Sequence, residues 1–155
     1  MNRFFIVLIL FFSYDGYSQT AKDYFDRSYD KAENGDYYGA ISDLTKAIEL
    51  NPDDAGAYYN RGLAKNNIED YYGAISDYTK AIELNPDYAS AYLNRGVSKR
   101  ILKDDYGAIS DYNKAIELAP NNSIAYNNRG FAKGTLEDHY GAISDFNKAI
   151  ELNPD

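Results

Sequence analysis

The chain has 155 residues, 45% of them hydrophobic, which suits one folded domain of ordinary size. Its 16 basic and 24 acidic residues leave a net charge of −8, which argues against nucleic-acid binding by phosphate neutralisation and against docking on anionic lipid. No cysteine and a single histidine exclude disulfides, thiolate metal sites and most catalytic dyads, so the composition points to a binding scaffold.

Met1-Asn2-Arg3 is a short basic segment, and Phe4 to Phe12 is an unbroken apolar run. A spanning helix needs about 20 apolar residues, so this run is too short for a stable anchor. It fits the core of a secretory signal occupying residues 1–18, with Gly16 and Ser18 in a small-x-small arrangement. Cleavage after Ser18 leaves Gln19 first, removes one arginine and one aspartate, and keeps the net charge unchanged. The expectation is an exported protein, periplasmic or extracellular, with no membrane contact after cleavage.

From Ala21 onward the chain repeats itself. GAISD begins at Gly39, Gly73, Gly107 and Gly141, KAIEL at Lys46, Lys80, Lys114 and Lys148, and prolines 52, 86, 120 and 154 keep the same register. The period of 34 gives units at 21–54, 55–88, 89–122 and 123–155. Each unit reads as two helices, for example Ala57 to Asn67 and Tyr72 to Leu84; the second carries its apolar residues at i, i+3/i+4 and i+7. Asp36, Asp70, Asp104 and Asp138 precede the second helices and suit N-caps. Gly62 and Ala74 are read as small residues that let the two helices approach. Arg27/Asp43, Arg61/Asp77, Arg95/Asp111 and Arg129/Asp145 recur at a separation of 16, which predicts a partly buried ion pair across each antiparallel hairpin.

These units resemble the tetratricopeptide repeat family. The residues that carry the likeness are Tyr58, Gly62, Ala74, Tyr78, Ala81 and Pro86, with their equivalents one and two periods on. The first unit matches through Tyr24, Ala40, Ala47 and Pro52, but has Leu44 at the aromatic position and Ser28 in place of the glycine. Arginine (27, 61, 95, 129) and lysine (31, 65, 99, 133) stand where the family usually has leucine and an aromatic residue. The resemblance implies an all-α right-handed α-solenoid of four helix-turn-helix repeats. The usual solvating end helix does not follow Pro154, so either the array continues or the exposed end pairs with another copy.

Little here suggests catalysis. The carboxylate pairs such as Glu69-Asp70 recur at the turn between helices, where capping explains them. His139 occupies a variable position at a helix start, and Ser42, Ser76, Ser110 and Ser144 have no base beside them. No calcium-loop spacing or glycine-rich phosphate loop occurs. The expectation is no enzyme, no cofactor and no metal site.

By resemblance, the first helix of each unit lines a concave groove that holds an extended peptide or partner segment. Asn60, Asn94 and Asn128 would form its amide row, similar to the asparagine ladder of some glycosyltransferase-associated members. Tyr59, Leu93 and Asn127 would flank that row on one side, with Phe25 at the same place in the first unit. Leu63, Val97 and Phe131 would flank it on the other, with Tyr29 equivalent. Core packing is an alternative use for the apolar members, and hydrogen bonds within the scaffold for the asparagines. Phe25 stands where the carboxylate clamp of some chaperone-adaptor members requires lysine. The leading reading is an exported protein-interaction scaffold with a protein or peptide partner. The alternatives are a self-associating segment with both ends poorly capped, hence a homo-oligomer, or part of a longer array joined to a catalytic domain.

Overall fold

A computed structural model describes residues 19–154; the signal-like segment lies outside the described residues. Eight helices follow one another: α1 (Ala21–Glu33), α2 (Tyr37–Leu50), α3 (Ala55–Asn67), α4 (Tyr71–Leu84), α5 (Ala89–Ile101), α6 (Asp105–Leu118), α7 (Ser123–Thr135) and α8 (His139–Leu152). No strand occurs among the described residues. Each odd-numbered helix packs along the next to form an antiparallel hairpin, and each hairpin stacks on the one before. α3 also touches α5, and α5 touches α7, whereas the even-numbered helices of adjacent hairpins make no comparable contact. The stack therefore curves with its first helices on the inner face. The fold is the all-helical solenoid that the repeat predicts.

Local chemistry sets the ends of the helices. Asp36, Asp70, Asp104 and Asp138 accept a hydrogen bond from the N–H of Gly39, Gly73, Gly107 and Gly141, as caps at these N-termini should. The capping carboxylate folds so closely over that glycine that an added Cβ would lie 2.0 Å from Asp36 Oδ2, which explains the first residue of GAISD. Thr20 and Asp23 form a reciprocal capping box at the start of α1.

The glycine of each first helix has a different partner from the one its spacing suggested. A Cβ at Gly62 would meet the Tyr78 ring at 2.6 Å, and Gly96 and Gly130 face Tyr112 and Phe146 in the same way. The close neighbour is thus the aromatic residue of the second helix rather than Ala74. Only the first hairpin pairs Ser28 with the smaller Leu44, and that exchange leaves space for the serine.

The predicted ion pairs form in all four hairpins, and each gains a third member. Arg61 Nε and Nη2 donate to the two Asp77 oxygens at 2.9 and 2.7 Å, and Lys65 Nζ lies 2.8 Å from the same carboxylate. Arg27-Asp43-Lys31, Arg95-Asp111-Lys99 and Arg129-Asp145-Lys133 repeat the arrangement. The aspartates are buried, so these are not independent surface charges. Each guanidinium also sits 4.9–5.6 Å from the ring centroid of Tyr24, Tyr58, Tyr92 or Tyr126. Arg61, Arg95 and Arg129 reach back to Thr45, Thr79 and Asn113 of the preceding hairpin. In the second, third and fourth units one arginine therefore joins both the hairpin and the stack.

The two ends of the stack differ, which corrects the expectation that both are poorly capped. Ala57, Ala91 and Ala125 are fully buried where α3, α5 and α7 enter the hairpin before them, as are Ser98 and Ala132, with Ala64 nearly so. In α1 the same register holds Asp23 and Asp30, both exposed. The first helix thus presents a polar outer face to solvent, as the terminal unit of an array requires.

Candidate functional site

The inner face is not uniform. Between the first two hairpins it opens into a cavity of about 280 Å³. Phe25 and Tyr29 of α1, Tyr37 and Leu44 of α2, and Asn60 and Leu63 of α3 form its walls, with Glu33 and Asn67 also lining it. Its origin is visible in the substitution at the aromatic position. In the second hairpin Tyr78 fills the corresponding space, fully buried, with its ring 5.9 Å from Tyr59. Asn66 donates to the Tyr78 hydroxyl at 3.1 Å, and Ser98 donates to Asn66 Oδ1 at 2.9 Å. The first hairpin has Leu44 and Ala32 in place of Tyr78 and Asn66, so it has neither the ring nor the network.

The third hairpin fills the space differently. Tyr112 is fully buried, and Arg100 stands where the second hairpin has Asn66. Neither the Tyr112 hydroxyl nor Arg100 Nε makes a hydrogen bond of normal geometry. Burial pushes the Tyr112 hydroxyl up to about 12, with the neighbouring guanidinium opposing the rise. Burial likewise pushes Tyr78 and Tyr59 above the usual tyrosine value, the latter against a hydrogen bond from Asn94. These phenols stay neutral at physiological pH, so they act as packing groups and hydrogen-bond partners rather than as acids or bases.

The nine groove residues read from the sequence fall into separate groups. Asn60 and Leu63 line the cavity, although Asn60 Nδ2 donates to the Gly56 carbonyl of its own helix at 3.0 Å. Asn94 Nδ2 donates to the Tyr59 hydroxyl at 2.9 Å, and Tyr59 also packs on Tyr88 at 4.8 Å, so both serve the scaffold. Leu93 and Val97 pack against the core around Tyr112. Asn127 and Phe131 lie at the far end, on the open side of the last hairpin. Asn128 is half-buried, with no side-chain hydrogen bond among the described residues. The amide row is thus partly spent on the scaffold. Leu44, Ser28 and Tyr37 are among the cavity residues that the sequence reading did not assign to a site, yet the departures at 44 and 28 were its visible sign.

Among the described residues no group of three His, Asp or Glu side chains is placed to hold a metal ion. No described helix is long and apolar enough to cross a membrane.

Family models described as tetratricopeptide repeat match residues 55–88, 89–122 and 123–155, and one described as TPR repeat matches 29–67. Among solved structures, MamA is 29% identical with a TM-score of 0.84, over 86% of this chain and 78% of that one. The MamA 41-end segment from Desulfovibrio magneticus RS-1 is 25% identical with a TM-score of 0.83, over 88% of this chain and 77% of that one. The first TPR of Spaghetti (RPAP3), solved bound to the HSP90 peptide SRMEEVD, is 30% identical with a TM-score of 0.75. It covers 77% of this chain, and the match spans 95% of that one. No curated protein matches the chain. Helical hairpins in a regular stack, an inner groove and these matches agree: the chain belongs to the tetratricopeptide repeat family, whose members are interaction scaffolds and not enzymes.

Proposed function

We propose that the protein is an exported scaffold that binds an extended peptide or partner segment along its inner face. The cavity beside Leu44 is the anchor for an apolar side chain of that partner. The carrying observation is the cavity itself, a concave, largely apolar space with a few polar groups at its edge, the usual make-up of a ligand site. The solved peptide complex of a similar TPR supports the same kind of use. Asn60 and Asn128 retain carboxamide groups that bond an extended backbone regardless of its sequence. Glu33 at the cavity, on a chain of net charge −8, favours a partner with lysine or arginine near its apolar residue. Export rests on the basic start and apolar run of residues 1–18. A mature protein from the native host that begins at or near Gln19 supports it, and retention of Phe4 to Phe12 refutes it.

The cavity has a direct test, because the chain supplies its own plug. Ser28→Gly with Leu44→Tyr gives the first hairpin the glycine and tyrosine pair of the second and third, and should fill the space without disturbing the fold. Random-peptide display on the wild type should enrich an apolar residue flanked by basic ones, and the filled variant should lose that enrichment at least tenfold. If both proteins select the same peptides, the cavity is not the anchor.

A further inference from the structure

The third hairpin holds a cation with no counter-charge. Among the described residues every other arginine, and every lysine except Lys103, lies in an ion pair, whereas Arg100 has none. Its Nε is enclosed without a hydrogen bond of normal geometry, and so is the hydroxyl of the fully buried Tyr112 beside it. Asp105 acts on the same hydroxyl but forms no ion pair with Arg100. Enclosed polar groups of this kind have lost water and gained nothing in return.

The repeat shows where the guanidinium stands. One and two units earlier its position holds Asn66 and Ala32, and Ala32 lines the cavity of the inner face. Arg100 therefore lies at the same level of the groove two units on, and it is only partly buried. In the second hairpin the network closes, because Asn66 donates to Tyr78 and accepts from Ser98. In the third, Ala132 replaces that serine, and a guanidinium has five N–H donors and no acceptor. Asn128, at the register of Asn60 in the cavity wall, adds an amide with no side-chain hydrogen bond among the described residues. Donors are thus in excess where the third and fourth hairpins meet. The group that fits is a carboxylate, whose two oxygens match the planar fork of arginine.

We propose that Arg100 receives the side-chain carboxylate of an aspartate or glutamate in the bound segment, with the Asn128 amide at the edge of the same site. This rests on the reading of the inner face as a peptide groove, and adds an acidic residue to the apolar and basic ones expected at the cavity. The inner face continues along α7, so an extended segment passes Arg100 in mid-chain and presents a side chain rather than its end.

NMR of the arginine Nε–H groups tests the site without any selected peptide. The probe is glutamate with both backbone ends capped, and capped glutamine is its neutral control. Capped glutamate should shift the Arg100 Nε–H signal saturably, with a Kd in the millimolar range, and capped glutamine should not. Arg27, Arg61, Arg95 and Arg129 serve as internal controls, because each Nε already donates to an aspartate. Arg100→Asn with Ala132→Ser copies the closed network of the second hairpin, so this variant should fold with an unchanged circular dichroism spectrum and identify the signal by its loss. In display of peptides with both ends blocked, the wild type should enrich Asp or Glu at a fixed offset from the apolar residue. The double variant should lose that enrichment at least tenfold and keep the apolar residue. An unmoved Arg100 signal, an equal shift with capped glutamine, equal shifts at the paired arginines, or acidic enrichment that survives the double variant overturns the proposal. An Arg100 shift without enrichment of any peptide supports the carboxylate site and counts against the groove reading alone.

Discussion

Asp43, Asp77, Asp111 and Asp145 each hold two cations from inside the hairpin, so every unit depends on one carboxylate. Asp77→Ala would leave Arg61 and Lys65, both mostly buried, facing each other without a counter-charge. We expect a loss of about 3 kcal/mol in urea unfolding, as for a buried pair deprived of one partner. Lys80→Ala, which breaks an exposed pair with Glu83, should change stability by under ~1 kcal/mol. Equal effects from the two variants would show that the buried triad has no special weight. The Arg27 hydrogen bonds, followed by Lys31, hold Asp43 down at about 2, below its ordinary value of 3.8. At Asp145 burial pushes upward, but Arg129 and Lys133 outweigh it and the net shift is also downward. A depressed carboxylate stabilises fully above its unfolded value and loses that stabilisation as pH falls through the folded one. Thermal midpoints should therefore drop between about pH 4 and pH 2 for this reason; a midpoint as high at pH 2 as at pH 5 would exclude it. The arginine and aspartate were legible because a separation of 16 across a hairpin turn sets them opposite each other. The lysine was visible only as a departure from the family, since its reach to the same carboxylate depends on side-chain paths that spacing does not encode.

Within each hairpin one three-residue turn both ends a helix and starts the next. Asp70 N–H bonds back to the Lys65 carbonyl at 2.9 Å while its side chain caps α4, and Glu69 N–H bonds to Asn66. This is the Schellman closure, which places the residue before the capping aspartate in left-handed backbone. Gly35 fills that place in the first hairpin with φ 78°, but Glu69, Lys103 and Glu137 fill it in the others with φ 63–66°. A side chain in that conformation is strained by about 1–2 kcal/mol, offset in part by the extra freedom glycine gives the unfolded chain. Glu69→Gly, Lys103→Gly and Glu137→Gly should each stabilise by roughly 0.5–1 kcal/mol, while Gly35→Ala should do the reverse. Differential scanning calorimetry of the triple variant should show a higher midpoint, and a lower one would refute the strain. The aspartate caps and the proline register were readable directly from the sequence. The cavity was not, although Leu44 and Ser28 were evident departures. A missing ring becomes a hole only when α1, α2 and α3 are all in place around it. The same limit applies to Leu93 and Val97, which face the inner side in the repeat pattern but are committed to the core by Tyr112 and Ala132.

At the scale of the whole chain, stability passes from neighbour to neighbour. Direct contacts run within each hairpin, between successive hairpins, and between α3, α5 and α7, so no single core spans the array. In such a stack, local opening should follow the number of covered faces. The second and third hairpins are covered on both sides, with Tyr78 and Tyr112 fully buried. The first is covered on one side and finished on the other by Thr20, Asp23 and Asp30. The last is covered on one side only, and on the other Ile143 and Ile150 stand more than half exposed. Native-state hydrogen exchange should therefore show the strongest protection in α4, α5 and α6. Protection should be weakest in α8, by at least tenfold, or ~1.4 kcal/mol of opening free energy. Uniform protection across all eight helices would mean that the array opens as one block, and the link between end exposure and stability would be lost.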